Sequence, residues 1–231
     1  MRKIYLICAL FILLIPVFAF SGDSATFINF GFSENSRYFM FGQYGIKSDH
    51  TNPFAEIYTV DVEDNTFVTD GVIKENYEVG LEAGQSGIGG LFRAYRDALP
   101  LQKEYNINHL NTGRMLYLLI NGDEPKSRLN FRDFQTGNTY SVVLHQENRK
   151  TGKQIEASFF IHLTLQPKSG NKRTYTIGLP DYWRGGVASY AIKKILISPD
   201  DAALIFVIEK RYQDNSDRNI RYMVETAWIK K

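Results

Sequence analysis

The sequence predicts a mainly β protein of antiparallel sheets, sandwich-like or partial propeller-like, with one helical insertion around residues 86–104. Phe, Trp and Tyr make up 14% of the 231 residues, and such side chains fit the pleated, half-buried surface of a sheet. Short apolar runs alternate with Gly, Asn, Asp, Ser and Pro, as in strands joined by tight turns. A helical period occurs in one stretch of the chain.

The amino terminus has the layout of a secretory signal peptide. Arg2 and Lys3 precede an uncharged apolar run over residues 4–18, and about 15 apolar residues fall short of the roughly 20 that span a bilayer. Cleavage after Ala19 and cleavage after Ser21 both satisfy the small-residue rule. We therefore expect residues 1–21 to be a signal peptide, and a periplasmic or secreted mature chain with no membrane insertion after cleavage.

Cysteine content and charge exclude several classes of function. The one cysteine, Cys8, lies in the signal segment, so the mature chain has no disulfide, thiolate nucleophile or Cys-ligated zinc. Of 27 basic and 25 acidic residues, two basic ones leave with the signal. The mature balance is then near zero, and we expect no nucleic acid as a partner.

The first strands are predicted between residues 26 and 62. Runs at 26–32, 37–41 and 56–62 are separated by a Ser- and Asn-containing turn and a polar loop. In residues 57–62 apolar and polar side chains alternate, which indicates a strand with one face in water.

A helix is predicted next, because Leu91, Phe92, Tyr95 and Leu99 follow a helical period. Ser86 is the expected cap, and Pro100 is expected to end or kink the helix. The preceding glycine-rich stretch lacks the spacing of a dinucleotide fingerprint or P-loop, which favours a flexible loop over a phosphate site.

Strands resume after residue 114, and turn residues such as Asn121-Gly122 and Ser169-Gly170 separate them. The predicted runs are residues 115–120, 129–134, 139–145, 156–165, 173–177, 190–197, 204–211 and 220–229. No linker or low-complexity tract divides the chain, so residues 22–231 are predicted to form one β-rich domain.

Residues 32–41 align without gaps on residues 197–206. Each segment has an apolar residue, a serine, a polar turn and three apolar residues, a pattern typical of two strands joined by a turn that Ser or Asp side chains stabilise. Both resemble the hairpin of TolB/WD40-like β-propeller repeats. Two copies are visible, whereas a closed propeller needs at least about four blades.

Residues 31–62 carry a second resemblance, in the motifs Gly31-Phe32-Ser33, Arg37-Tyr38-Phe39, Gln43-Tyr44-Gly45 and Pro53-Phe54-Ala55. They look like the start of a family of predicted secreted bacterial proteins with a domain of unknown function, DUF2259. The resemblance implies an envelope location and supplies no catalytic residue.

Candidate chemistry is sparse. His50, His109, His145 and His162 show no metal-ligand spacing, and no serine lies in a Gly-x-Ser-x-Gly elbow. The acids around Asp61–Asp70 lack the pattern of a calcium loop and are interpreted as a solvated hairpin. We therefore expect no catalytic residue, no metal site and no cofactor.

A binding site is predicted instead at Asp181, Tyr182, Trp183 and Arg184, in an apparent loop that continues into Gly185-Gly186. Tyr, Trp and Arg anchor many interfaces, although Trp183 would equally suit a plug at the edge of the core. The sequence favours an exported, non-enzymatic cell-envelope binding protein whose partner is an envelope protein or a glycan. The alternative is a periplasmic hydrolase that uses loop carboxylates or a metal.

Overall fold

The computed structural model describes residues 23–47, 51–82, 84–152, 154–214 and 217–230. The predicted signal peptide and its cleavage site lie outside these residues. The described elements are β1 (Thr26–Ser33), β2 (Tyr38–Ile46), β3 (Pro53–Asp61), β4 (Thr66–Asn76), α1 (Ile88–Glu104), β5 (Ile107–Asn108), β6 (Arg114–Leu118), β7 (Arg128–Arg132), β8 (Thr139–Thr151), β9 (Gln154–Gln166), β10 (Arg173–Gly185), β11 (Val187–Ile197), β12 (Ala203–Asp214) and β13 (Asp217–Trp228).

These strands form three antiparallel sheets, which confirms the predicted mainly β class with one helical insertion. Sheet I has the order β4-β3-β2-β1-β5, sheet II the order β13-β12-β11-β6, and sheet III the order β10-β9-β8-β7. Most neighbours are consecutive in the chain and joined by short turns. Two pairs are exceptions. β1 pairs with β5, which follows the helix, and β6 pairs with β11, although all of sheet III lies between these two strands in sequence.

Sheet II is the central layer and is buried on both faces. Successive side chains of a strand point to opposite faces, and in β12 both sets are apolar. Leu204 and Phe206 pack against sheet III, whereas Ile205 and Val207 pack against sheet I. All four are fully buried, and burial of each side chain of this size contributes roughly 1.5–3 kcal/mol.

Helix α1 covers the outer face of sheet I. Leu91, Ala94 and Leu101 pack against side chains of β2 and β3, among them Met40 and Ile57. The apolar face follows a helical spacing, which is why the sequence predicted this helix.

The helix, Ile88–Glu104, agrees with the predicted insertion around residues 86–104, but its cap and the effect of its proline differ from the prediction. Gly87, and not Ser86, occupies the N-cap position, although the Ser86 hydroxyl accepts a 3.3 Å hydrogen bond from the Ile88 amide. Pro100 lies inside the helix, which continues to Glu104. Buried Ala98 and Leu101 flank the proline, so packing on sheet I outweighs the lost backbone hydrogen bond.

The two predicted hairpins form. Ser33 lies at the turn between β1 and β2, and Ser198 lies at the equivalent point between β11 and β12. In each turn the serine hydroxyl accepts a hydrogen bond from the first amide of the returning strand, Tyr38 at 2.9 Å and Ala203 at 2.9 Å. A propeller is not confirmed, because the described strands stack as three sheets and close no barrel.

Glutamine side chains cover two free strand edges. The Gln43 side chain accepts from the Tyr222 amide at 2.7 Å and donates to the Tyr222 carbonyl at 3.2 Å, on the outer edge of β13. Gln146 makes the same pair of bonds to Tyr190, at 2.8 and 3.2 Å, where β11 extends beyond β6. Each amide group replaces a neighbouring strand and pairs backbone groups that would otherwise be left open.

Candidate functional site: a cleft where the three sheets meet

An open cleft of about 720 Å³ lies where the ends of the three sheets converge. Sheet II supplies its floor, from the hairpin ends of β12 and β13. Sheet I forms one wall through β3 and β4, and sheet III forms the other through the start of β9 and the end of β10. The lining residues are Glu56, Tyr58, Lys74, Gln154, Ile155, Glu156, Gly185, Gly186, Lys210, Tyr212, Asn219 and Arg221.

Lys210 is the central cation of the cleft. It extends from β12 beside Tyr212, with its ammonium 5.8 Å from the centre of that ring. The pKa of Lys210 is lowered to about 8, chiefly by burial. Glu56 opposes this shift, and the positive charges of Lys74, Arg184 and Arg221 contribute to it. Within the described residues, no carboxylate lies within ion-pair distance of Lys210. A mostly buried ammonium without a salt bridge is unfavourable for the fold.

Glu56 is the acid that acts most strongly on the pKa of Lys210, and hydrogen bonds fix the position of its carboxylate. Its Oε2 accepts hydrogen bonds from Gln43 at 2.6 Å and from the Tyr58 hydroxyl at 2.5 Å. Burial of Tyr58 and the negative charge of Glu56 raise the pKa of that phenol far above its usual value. Tyr58 is therefore a neutral donor at any physiological pH.

Arg221 closes one side of the cleft and is already paired. Its guanidinium donates to both carboxylate oxygens of Asp23, at 3.0 and 2.6 Å. It also lies over the Phe54 ring, 3.8 Å from the ring centre. Because its guanidinium is both paired in a bidentate manner and stacked, Arg221 has a fixed position at the side of the cleft.

The predicted residues Asp181–Arg184 lie next to the cleft but do not form a loop, so that part of the prediction is wrong. They belong to β10, at a wide irregularity between Leu179 and Arg184 where the pairing with β9 is interrupted. Between Leu179 and Arg184, four residues of β10 stand opposite one residue of β9, so the extra residues of β10 bulge outward.

These four side chains point in different directions. Asp181 lines a separate hollow of about 460 Å³ that Ser127, His145 and Phe160 also line. The Tyr182 ring and the Arg184 guanidinium stack 4.6 Å apart.

Trp183 and Arg184 connect the bulge with the cleft. Trp183 stacks under Arg149 at 4.1 Å, and Arg149 is paired at 2.6 Å with the cleft residue Glu156. Arg184 lies 4.0 Å from buried Glu225 and acts electrostatically on Lys210. Gly185, the next residue, lines the cleft.

The sequence contains no signal for Lys210, Glu56 or Tyr58 as site residues. Lys210 and Glu56 stand in strands at positions where a charged side chain normally means a solvent-facing side, and Tyr58 alternates with polar residues like an ordinary core residue. Their convergence depends on how sheets I and III overhang the edge of sheet II, and a strand pattern does not contain that information.

No metal centre is found. Among the residues that the structure describes, no three His, Cys, Asp or Glu side chains lie close enough to hold an ion. His145 and His162 are neighbours on sheet III, with ring centres 5.0 Å apart, but no third ligand joins them.

Three stacked antiparallel sheets with an open cleft at their shared end define a mainly β protein. The model of the DUF2259 family, described as predicted secreted protein, matches residues 40–228, and the chain belongs to this family. The predicted family is thereby confirmed, although two of the motifs that suggested it, at residues 31–33 and 37–39, lie before the matched range. The family description supports a secreted location. No curated protein and no solved structure matches the chain. Within the described ranges, no helix has the length and apolar character needed to cross a membrane.

Proposed function

We propose that this chain is an exported, non-enzymatic binding protein of the cell envelope, and that its ligand site is the cleft between the three sheets. The observation that carries the proposal is Lys210, a mostly buried cation without a salt bridge among the described residues, in an opening of about 720 Å³. A group that weakens the fold and faces an open cleft is typical of a site that a ligand completes. The volume falls in the usual range of ligand sites.

The bulge at Tyr182, Trp183 and Arg184 extends this site as its outer rim. The Tyr182 side chain is 55% exposed, and the stacked pairs with Arg184 and Arg149 present aromatic faces beside the cleft. In this proposal the cleft takes one unit of a glycan or one side chain of an envelope protein, and the rim contacts the remainder of the partner. We place the protein in the periplasm, following the signal peptide that the sequence predicts.

The test compares three forms of the mature chain, residues 22–231. Gly185→Trp fills the cleft, since a Cβ at Gly185 meets no atom within 4 Å. Gly89→Trp is the matched control, because Gly89 is equally open but lies on helix α1, on the far face of sheet I. Each form is incubated with soluble peptidoglycan fragments and, separately, crosslinked in intact envelopes.

The expected result is capture of a glycan fragment or an envelope protein by the wild type and by Gly89→Trp, and at least tenfold weaker capture by Gly185→Trp. Trp183→Ala should weaken capture without abolishing it. Equal capture by Gly185→Trp and the wild type would show that the cleft is not the site.

A hydrolase remains a second candidate, because Glu56 and Glu156 line the same cleft and paired carboxylates carry out glycoside hydrolysis. Incubation of the wild type, Glu56→Gln and Glu156→Gln with the same fragments decides between the two. Fragments cleaved by the wild type and left intact by either variant would replace binding with catalysis. Unchanged fragments support binding alone.

A further inference from the structure

Resting on the function proposed above, we propose that the cleft binds an acidic sugar, a monosaccharide unit with one carboxylate, and that this carboxylate pairs with Lys210. The inference comes from the balance of charges in the cleft, from the position of the lysine, and from the chemistry of the walls.

Among the side chains that the structure describes, the charges around the cleft leave one positive charge unpaired. Arg221 is paired with Asp23 and Arg149 with Glu156, and Arg184 has Glu225 at 4.0 Å. Of the described charges that line the cleft, Lys210 and Lys74 then face one carboxylate, Glu56. Among the described residues neither lysine has a carboxylate within 4.0 Å, although Lys74 lies 5.8 Å from the Tyr58 ring centre. A ligand with a single negative charge would bring the site to neutrality.

Lys210 is the better placed of the two cations. Lys74 is exposed, so water already solvates its ammonium and an ion pair there contributes little. Lys210 has lost most of that solvation, and an anion that reaches it replaces water in a site of low dielectric, where the attraction is stronger. The carboxylate therefore belongs at Lys210.

The remaining lining suits the rest of a sugar. The Glu56 carboxylate can accept hydrogen bonds from hydroxyl groups, and the side-chain amides of Gln154 and Asn219 can both accept and donate. The Tyr212 ring, which is partly exposed, offers an apolar face for the C–H side of a pyranose. A purely apolar acid would leave these polar groups desolvated and unpaired, which disfavours it.

A phosphate group fits less well. It carries up to two negative charges, more than the single charge that the cleft leaves over. The cleft is also built from strands and turns, so it lacks the convergent amides of a helix start that phosphate sites commonly use. The site thus favours a monoanion.

The experiment is isothermal titration of the mature protein at pH 6.5 with three probes: D-glucuronate, D-glucose and D-glucose 6-phosphate. We expect glucuronate to bind at least tenfold tighter than glucose, and glucose 6-phosphate to bind more weakly than glucuronate. Lys210→Met should reduce glucuronate affinity at least tenfold and leave glucose affinity unchanged. Lys194→Met is the matched control, since Lys194 is a partly buried lysine of sheet II that lies over Phe27 and outside the cleft lining.

A pH series gives an independent readout. Glucuronate affinity should fall as Lys210 loses its proton above pH 8, whereas glucose affinity should not follow that titration. The other titratable and charged groups that face the lysine are Lys74, Arg184, Arg221, Glu56, Tyr58 and Tyr212. Glucuronate binding that survives Lys210→Met, or tighter binding of the phosphate, would overturn the proposal.

Failure of this inference and failure of the proposed function give different results. If no probe sugar binds but Gly185→Trp still blocks capture of an envelope ligand, the acidic-sugar class is wrong and the cleft remains the site. If Gly185→Trp has no effect on capture, the cleft itself is wrong. Lys210→Met is expected to unfold at a higher temperature than the wild type, so a loss of binding in this variant does not reflect loss of the fold.

Discussion

Ser33 and Ser198 occupy the same position in two turns that are far apart in sequence. Each hydroxyl donates to an Asx side chain two residues on, Asn35 at 2.7 Å and Asp200 at 2.8 Å. Three residues after each serine the backbone adopts a positive φ, 59° at Ser36 and 55° at Asp201. The two turns are one structural device used twice, in sheet I and in sheet II.

Ser198→Ala tests the contribution of this device to stability. The Ser198 hydroxyl accepts from the amides of Ala202 at 3.0 Å and Ala203 at 2.9 Å, and both residues are fully buried. Their amides would lose an acceptor, which costs about 1–3 kcal/mol. Urea unfolding should show this loss, whereas Ser127→Ala, at an exposed serine, should change stability by less than about 0.5 kcal/mol. Equal stability of the two variants would contradict the role of the turn.

Gln43→Leu should open the outer edge of β13. Gln43 is fully buried, and its removal leaves the Tyr222 amide and carbonyl unpaired and Glu56 without one donor. We expect a loss of roughly 2–4 kcal/mol, from two unsatisfied buried groups at about 1–2 kcal/mol each. Hydrogen exchange at the Tyr222 amide should rise strongly while exchange at the Tyr190 amide, which Gln146 covers, rises only as far as global stability falls. Parallel increases at both amides would mean that the edge is not locally protected.

Lys210→Met is expected to stabilise the fold at neutral pH. Because burial lowers the pKa of Lys210 from 10.5 to about 8, the unfolded chain binds more protons between these two values, and wild-type stability rises with pH over that interval. The penalty is fully present below pH 8 and amounts to roughly 3 kcal/mol at about 1.36 kcal/mol per pKa unit. The advantage of Lys210→Met should therefore shrink above pH 8 and vanish near pH 10.5 in urea titrations. Lys126→Met, at an exposed lysine outside the cleft lining, is the control and should change stability by less than about 0.5 kcal/mol. An advantage of Lys210→Met that stays constant with pH would refute the assignment.

Asp133→Asn should destabilise the contact between sheets II and III. Burial alone would raise the pKa of Asp133, but hydrogen bonds from Arg114, Thr136 and the Gln135 amide outweigh it and lower the pKa. The carboxylate thus stabilises the fold above its unfolded pKa of 3.8, and this contribution is lost as pH falls through the lower folded value. We expect a loss on the order of 3 kcal/mol at pH 7.

The stability difference between Asp133→Asn and the wild type should narrow as acid unfolding is followed below pH 4. Asp97→Asn is the control, since the Asp97 pair with Arg96 is exposed on both sides and such pairs contribute about 0–1 kcal/mol. A difference that does not narrow in acid would show that the charge of Asp133 is not what stabilises the contact.

The sequence predicted what depends on local pattern and missed what depends on the arrangement of sheets. The helical spacing from Leu91 and the serine turns follow from neighbouring residues, and these elements form. The alternation in β3 predicted a strand with one face in water, which is wrong, because helix α1 covers that face and β3 is buried on both sides. Pro100 does not end the helix, because packing on Met40 and Ile57, which lie far away in sequence, stabilises it. Asp181–Arg184 were predicted as a loop because Pro180 and two glycines flank them, although the segment bulges from a paired strand.

The order of the sheets along the chain has a consequence for export. Sheet I comes first and sheet III next, yet each buries its inner face only against sheet II, whose strands β11, β12 and β13 follow both. A chain that emerges from its amino terminus first would leave the inner faces of sheets I and III uncovered until these three strands arrive, because contacts of long sequence separation form late. Folding after export would then be timed by the arrival of β11, β12 and β13, and a chain truncated before β12 would keep both apolar faces in contact with water.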